Sequence, residues 1–267
     1  MEGASLNPRR TPEQVRAEDL NTLVPVIDPA RSFDLAAEEY EATRPSYPDE
    51  LLDLLPVASD ATVLDLGAGT GKLTRVLARR YARVIAVEPL DGMRGILERV
   101  VPDVEVLAGT AEQIPLADAS VDAVFAAQAF HWFDHDRAVP EIARVLRPGG
   151  VLALVWNGPD DSRPNPLPPG YLDYLRGLRR ERSTFDETPA WRELIAIGPF
   201  GEPQEGAAPH DHVLDRAGQL DNARSVSWIA SRDDDDKARV LSRLGELLPE
   251  GTYASPNLAN VLWALRS

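Results

Sequence analysis

The chain has 267 residues, of which 43% are apolar and none is cysteine. This length allows a substantial core, and the missing cysteines exclude disulfide scaffolds, thiolate metal centres and cysteine nucleophiles. An excess of 43 acidic over 28 basic side chains, a formal net charge of -15, disfavours partners such as nucleic acid or an anionic membrane surface.

The first segment, residues 1–30, mixes proline, arginine and glutamate without a steady apolar period, so we expect a flexible N-terminal extension. It has no signal-peptide pattern, and no apolar run in the chain approaches the ~20 residues of a membrane helix. We therefore expect a cytoplasmic protein. Residues 31–267 are expected to form a single domain, with a cofactor-binding core over 31–157, a lid and acceptor region over 158–250, and a final strand within 251–267.

The middle of the chain alternates short apolar strands with helices of about ten residues. Two short helices should precede it, over residues 33–42 and over 51–55, the second capped by Asp49. A later helix contains Pro140, which either begins that helix or kinks it. The alternation predicts βαβ units and a parallel sheet covered on both faces, in the α/β class. The strands are expected at residues 61–66, 83–87, 104–107, 121–127 and 151–156.

Beyond residue 157 the pattern is weaker. Four aspartates at 233–236 precede a lysine; we interpret them as the acidic start of a helix, and an engineered protease site is the alternative. We expect the remaining residues to complete the same sheet. The expected elements are a proline-rich loop over 157–170, helices over 171–182, 191–197 and 237–248, a strand and helix within 213–230, and a strand over 260–265.

A glycine-rich turn, GAGTG at residues 67–71, follows the first strand. Its glycines let the backbone turn sharply and approach a ligand. Lys72 stands where a dinucleotide fingerprint has its third glycine, and no P-loop pattern is present. Glu88 ends the next strand, about twenty residues on, where a carboxylate can accept from both hydroxyls of an adenosine ribose. Together these features favour S-adenosylmethionine; a plain tight turn beside a surface glutamate is the alternative.

With these motifs the chain resembles the class I S-adenosylmethionine-dependent methyltransferases, in the small-molecule group with a methyltransferase type 11 domain, near trans-aconitate methyltransferases. Further matches are YEATRPSYP at 40–48, GTAEQIP at 109–115, AQAFHWF at 127–133 and RVLRPGG at 144–150. The close resemblance covers residues 32–157. It implies a Rossmann-like, doubly wound, mostly parallel seven-stranded sheet, with a lid built from the N-terminal segment and the region after strand 5. S-adenosylmethionine would be the cofactor and S-adenosylhomocysteine the product.

The resemblance also implies roles for single side chains. Asp65 would lie against the methionine part of the cofactor, Glu88 would hold the ribose, and Arg44 would pair with the cofactor carboxylate. Thr110 stands where the family often has an aspartate that accepts from the adenine amino group. The other residues expected at the cofactor are Tyr40, Gly67, Ala68, Gly69, Gly71, Pro89, Leu90, Ala111, Glu112 and Ala127.

Methyl transfer from a sulfonium depends mainly on alignment and exclusion of water, and it needs a base only when the acceptor must lose a proton. His131 is the candidate base, with packing beside its aromatic neighbours as the alternative. The histidine–aspartate groups at 131–136 and 210–212 lack a zinc spacing, so no metal is expected. The residues expected to line the acceptor pocket are Tyr47, Gln128, His131 and Trp132.

The main hypothesis is a methyltransferase for a small-molecule acceptor, acting as a monomer or homodimer, with bacterial secondary metabolism as one setting. Family analogy slightly favours oxygen acceptors. Three alternatives stay open. One is a nucleic-acid or protein methyltransferase on the same fold, which the acidic charge disfavours. The others are a non-catalytic module that binds the cofactor, and an enzyme that uses the cofactor's charge for a rearrangement.

Overall fold

The computed structural model describes residues 37–38, 40–180, 187–230 and 232–267. The expected flexible extension over 1–30 lies outside these ranges. Within the described ranges no helix is long and apolar enough to cross a membrane.

A seven-stranded sheet runs through the described residues in the order β3-β2-β1-β4-β5-β7-β6. All neighbours are parallel except β7, which is antiparallel to both β5 and β6. The predicted mostly parallel seven-stranded sheet is therefore confirmed. The strands are β1 Thr62–Leu66, β2 Arg83–Val87, β3 Glu105–Leu107, β4 Val121–Ala127, β5 Leu146–Pro159, β6 Gln204–Asp215 and β7 Thr252–Leu265.

Helices cover both faces of this sheet, because alternate strand residues are apolar on both sides. Leu152 of β5 packs in the cluster that includes α3 and α5, whereas Val151 packs in the cluster that includes α1. The helices are α1 Thr74–Arg80, α2 Asp91–Val100, α3 His135–Val145, α4 Pro169–Arg180, α5 Glu187–Ile195, α6 Arg216–Ser225, α7 Ser227–Ala230 and α8 Asp234–Leu247.

The segment before β1 differs in detail from the prediction. Residues 40–43 are helical, and a 3-10 helix follows over Asp49–Leu54. Asp49 is the first residue of this helix and not its cap; Pro48 holds the cap position without a side-chain hydrogen bond. Pro140 does not begin a helix either, because α3 starts at His135 and contains Pro140 in its interior.

Two predicted strands were too short. β7 begins at Thr252, not near residue 260, and β6 begins at Gln204, before the predicted 213–230 stretch. The ends of these strands are held by backbone pairing, for example of His210 with Asn257, and not by burial of alternate side chains. Their sequences therefore show only weak apolar periodicity. The paired ends extend β6 and β7 past the hydrophobic centre of the sheet.

The helices after β5 have a core of their own. Tyr171 of α4, Ile229 of α7 and Leu244 of α8 are fully buried against one another in a cluster separate from the two sheet cores. We call α4, α6, α7 and α8 the helical cap. The proline-rich loop before it is tied to the sheet by Arg163, which bonds Asp160 and Asp211 and the carbonyl of His210.

The acidic start of α8 predicts a measurable capping contribution. Asp233 accepts a hydrogen bond from the Asp236 amide at 2.8 Å, so Asp233→Ala should lower the free energy of unfolding by about 1 kcal/mol. Asp235→Ala removes a charge from the same turn but no cap hydrogen bond, and its effect should be smaller. Urea denaturation of both variants measures the difference. Equal losses would mean that charge, and not the cap bond, stabilises this helix.

Candidate cofactor and acceptor site

The glycine loop needs its glycines at three positions. Gly67, Gly69 and Gly71 have φ angles of +70°, +58° and +88°, a region that side chains disfavour. A Cβ at Gly67 would lie 2.8 Å from the Cβ of Ala129, whereas one at Gly69 would meet nothing within 4 Å. The loop therefore packs tightly at its first glycine and opens at its second.

Glu88 ties this loop to the next one. Its side chain is buried, with one carboxylate oxygen accepting from the Gly69 amide at 2.8 Å and the other from the Leu90 amide at 3.0 Å. Burial raises the pKa of Glu88, and these two hydrogen bonds oppose the rise. Each oxygen has a second lone pair, so the carboxylate can accept further hydrogen bonds from a pair of hydroxyls.

Asp65 is the second-last residue of β1, just before the loop, and is fully buried. Its Oδ2 accepts from the Thr74 hydroxyl at 2.6 Å, whereas its buried Oδ1 has no hydrogen-bond partner among the described residues. Burial raises the pKa of Asp65 to about 7, and the Thr74 hydrogen bond acts in the opposite direction. A buried acceptor of this kind is costly unless a ligand supplies a donor.

Residues 40–48, which we call the N-terminal strap, lie over this end of the sheet. The Arg44 guanidinium lies 5.4 Å from the Tyr40 ring centroid and donates from Nη2 to the Ser225 carbonyl at 2.8 Å. Burial lowers the pKa of Arg44. Its buried Nε has no partner, and no ion pair to a carboxylate is found for it in the described part of the chain.

Tyr47 connects the strap to the carboxylate. Its side chain is buried, and burial raises the pKa of Tyr47 well above its ordinary value. The charges of Tyr40 and Asp65 raise that pKa further, whereas the charge of Arg44 lowers it. All three groups are therefore close enough to the Tyr47 hydroxyl to change its pKa. The strap therefore brings Tyr40, Arg44 and Tyr47 to the edge of the sheet where Asp65 lies.

The predicted adenine segment follows β3. Ala111 is buried in the core, and Thr110 forms a side-chain hydrogen bond with the Glu112 carboxylate. The same carboxylate accepts from the Asp134 amide at 2.9 Å, at the start of α3. The structure thus brings Thr110 and Glu112 together and directs Glu112 toward the segment after β4. Pro89 also lies at this edge, where its carbonyl accepts from Arg94 at 3.3 Å.

The chain leaves β4 in a strained conformation. Ala127 is the last residue of β4, and Gln128 has a φ of +52°, which is unusual for a residue other than glycine. The backbone amide of Gln128 donates to the Val155 carbonyl at 2.8 Å, and this hydrogen bond to β5 holds the turn. Such strain is often found at functional sites. No sequence pattern marks it, because only the backbone shows it.

The candidate base and its aromatic neighbour lie in the 3-10 helix Phe130–Trp132. Trp132 is 62% exposed, and the ring centroids of His131 and Trp132 are 4.9 Å apart. Phe130 beneath them is fully buried and anchors this helix by an edge contact with Trp191. His131 is therefore presented at the surface of the edge and not packed in the core.

The two histidine–aspartate groups serve other contacts. His135 bonds the Phe130 carbonyl at 2.9 Å, and His210 bonds the Asn157 side chain at 2.9 Å. Within the described ranges no group of three histidine, aspartate or glutamate residues could hold a metal ion. Asn157 and His210 were not predicted as site residues, although a polar residue at the end of a buried strand such as β5 is a signal that could have found Asn157.

The buried Asp65 predicts a pH-dependent stability. Its pKa is raised in the folded protein, so it contributes stability at low pH that is lost as the pH rises through about 7. Asp65→Asn does not titrate. The melting temperature of this variant minus that of the wild type, measured without cofactor, should therefore increase by several degrees between pH 5 and pH 8.5. An unchanged difference would mean that the ionised Asp65 is not destabilised by burial.

Comparisons with known proteins agree with this geometry. Residues 64–154 match the family described as methyltransferase domain. The chain is 41% identical over 233 residues to an uncharacterised methyltransferase of Mycobacterium bovis, covering 87% of this chain and 90% of the relative. It is 36% identical over 226 residues to an uncharacterised methyltransferase-like protein of Schizosaccharomyces pombe, covering 81% and 86%.

A solved structure is similar over most of its length. It is that of a candidate type II methyltransferase from Anaeromyxobacter dehalogenans, with a TM-score of 0.63, 26% identity, and coverage of 84% of this chain and 97% of that one. The strand order, the glycine loop and these relatives lead to one conclusion. The chain belongs to the class I S-adenosylmethionine-dependent methyltransferases and is an enzyme of that family.

Proposed function

We propose that the chain binds S-adenosylmethionine beneath the N-terminal strap and transfers its methyl group to a small-molecule acceptor by in-line displacement. The observation that carries the cofactor's placement is a pair of unsatisfied buried groups of opposite charge. Asp65 offers an acceptor oxygen without a donor, and Arg44 offers an Nε–H without an acceptor. Asp65 raises and Arg44 lowers the pKa of the Tyr47 hydroxyl. Asp65 matches the ammonium group of an amino acid, and Arg44 matches its carboxylate.

The rest of the cofactor site is proposed on the same edge of the sheet. Gly69 leaves open space where a ligand can approach the backbone, and Glu88 next to it would accept from the two ribose hydroxyls. When bound, the cofactor supplies an electrophilic methyl on a sulfonium, so the protein has to orient the acceptor and exclude water. The further proposed contacts are Tyr40, Gly67, Ala68, Gly71, Pro89, Leu90, Thr110, Ala111, Glu112 and Ala127.

The proposed acceptor side lies between the 3-10 helix after β4 and the strap. Trp132 offers an exposed aromatic face, and His131 beside it would act as the base. Gln128 and Tyr47 would complete this side. We propose that the helical cap and the proline-rich loop form a lid over it, because both follow β5 at the same edge. A lid of this kind fits a small acceptor better than a polymer.

The excess of acidic side chains supports the same choice of acceptor. A net charge of -15 opposes the approach of nucleic-acid phosphates. Cytoplasmic location, a monomeric or homodimeric state and a setting in bacterial secondary metabolism rest on composition and analogy, and they stay predictions.

Calorimetric titration tests the cofactor proposal. Wild-type protein should bind S-adenosylmethionine and S-adenosylhomocysteine with micromolar affinity and should not bind NAD. Arg44→Leu and Glu88→Ala should each weaken binding by about tenfold or more, because each removes a charged hydrogen-bonding partner. Arg79→Ala, which changes an exposed arginine paired with Asp49, is the matched control and should bind like the wild type. Folded protein that binds neither compound, and carries no bound ligand by mass spectrometry, would overturn the proposal.

His131 is tested by its effect on turnover. With an acceptor found by screening compounds for the mass gain of one methyl transfer, His131→Ala should lower kcat by about 10²-fold, the contribution of a positioned base. Its affinity for S-adenosylhomocysteine should not change.

Asp136→Asn, an exposed position in the first turn of the neighbouring helix α3, serves as the control. If His131→Ala keeps wild-type kcat at every pH, then His131 is structural and another group, or none, removes the acceptor proton.

A further inference from the structure

Three backbone carbonyls of the N-terminal strap accept hydrogen bonds from side chains of three different elements. The Glu41 carbonyl accepts from Lys72, at the end of the glycine loop. The Thr43 carbonyl accepts from His212 of β6, and the Ser46 carbonyl accepts from the Asn157 amide of β5 at 3.2 Å. We propose that Asn157, His210 and His212 are positioning residues that clamp the strap over the cofactor, and this rests on the proposed function.

The direction of each hydrogen bond follows from the chemistry of its partners. A carbonyl can only accept, so the amide nitrogen of Asn157 must face Ser46. Its Oδ1 then faces His210, which donates from Nε2 over 2.9 Å. His210 therefore orients the Asn157 side chain and reaches the strap through it. If the Asn157 side-chain amide were turned over, its oxygen would face the Ser46 carbonyl oxygen, and no hydrogen bond could form between them.

The two histidines lie on one face of β6 at alternate positions. His210 pairs with Asn257 and His212 with Ser255 in the register of β6 and β7. Burial lowers the pKa of His212 to about 4, and His210, Lys72 and Arg44 lower it further, so the ring is neutral near pH 7. A neutral imidazole has one N–H, and the Thr43 carbonyl receives it. The clamp therefore places no additional cation beside Arg44.

The strap needs such partners because it holds itself weakly. Pro45 and Pro48 have no amide hydrogen to donate. Between residues 40 and 48 one internal backbone hydrogen bond is found in the described structure, from the Arg44 amide to the Tyr40 carbonyl at 3.0 Å. Tyr47 packs in the sheet core and Arg44 donates to the Ser225 carbonyl, while the backbone of the strap between them depends on donors from outside it. Loss of a donor should disturb the ligand-facing side chains before it disturbs the sheet.

The clamp is also joined to the loop that we propose as part of the lid. Arg163 donates to the His210 carbonyl at 2.8 Å and to the Asp160 and Asp211 carboxylates. His210 thus contacts the proline-rich loop through its backbone and reaches the strap through the Asn157 side chain. The strap and this loop are consequently held by the same residue of β6.

Amide hydrogen exchange of the cofactor-free full chain tests the clamp directly. Asn157→Asp keeps an acceptor for His210 but has no donor for Ser46, and His212→Leu removes the donor to Thr43. In both variants the peptide spanning residues 40–48 should exchange about tenfold faster or more, since local opening becomes easier. His212→Gln restores a donor and should return exchange toward the wild-type rate.

Asn260→Asp is the matched control. The side-chain amide of Asn260 donates to the Leu258 and Trp156 carbonyls within the sheet and not to the strap. This variant should leave exchange in the strap unchanged. Unchanged exchange in Asn157→Asp and His212→Leu would overturn the clamp, as would an acceleration no larger than that of Asn260→Asp.

Titration with S-adenosylhomocysteine separates this inference from the proposed function. In Asn157→Asp and His212→Leu the Kd should rise about tenfold, while the urea midpoint shifts no more than in Asn260→Asp. Faster strap exchange with an unchanged Kd would contradict the role of the clamp at the cofactor. If wild-type protein binds no S-adenosylhomocysteine, the proposed function fails, and the exchange result alone then decides whether these residues hold the strap.

Discussion

The site depends on a carboxylate that the fold buries without fully satisfying it. Asp65 lies near the end of β1 in the centre of a parallel sheet, where its neighbours on both sides are also buried strands. Ionising such a group in an apolar interior is expensive, and one hydrogen bond from Thr74 offsets only part of the cost. The protein retains this unfavourable arrangement at the point where the glycine loop begins. A ligand with a positively charged donor would convert the cost into binding affinity.

The loop above Asp65 can be formed because two chain segments constrain it. The Gly67 and Ala68 amides donate to the Val87 carbonyl at 2.9 and 3.1 Å, which fixes the loop to the end of β2. Glu88, the next residue, then accepts from the Gly69 amide. The same short stretch of β2 thus positions the loop and supplies the acid that the proposed cofactor needs. This explains why a glycine turn and an acid one strand later are informative only as a pair.

The covering parts of the site are held differently from the sheet. The sheet is stabilised by apolar layers on both faces, whereas the strap adds one buried side chain, Tyr47, to such a layer. Its other anchors are ion pairs of Glu41 and side-chain donors to its carbonyls. Contacts of the second kind are few and directional, so they set a position without adding much buried area. A segment held in this way can open and close over a ligand while the sheet stays intact. The helical cap after β5 is stabilised by a buried core of its own.

Local patterns determined the centre of the fold and the cofactor class. Strand periodicity placed β1, β2 and β4 to within a residue or two, and the positive φ angles at Gly67, Gly69 and Gly71 agree with the backbone freedom that the glycine turn predicted. These features depend on residues close in sequence. The long ends of β6 and β7 were missed because pairing between distant segments, and not apolar alternation, holds them.

Tertiary structure alone decided how distant residues meet at the site. Arg44 lies near the Asp65 site but donates to Ser225, 181 positions along the chain, and Asn157 joins Ser46 to His210 across three elements. No local pattern predicts these contacts, because the register of β5, β7 and β6 brings Asn157 to His210, and only the packing of the strap against α6 brings Arg44 to Ser225. The sequence by itself determined which chemistry the carboxyl edge of the sheet can support. The packing of the strap against that edge decided which side chains are left unsatisfied there, because burial and partners are properties of the folded chain.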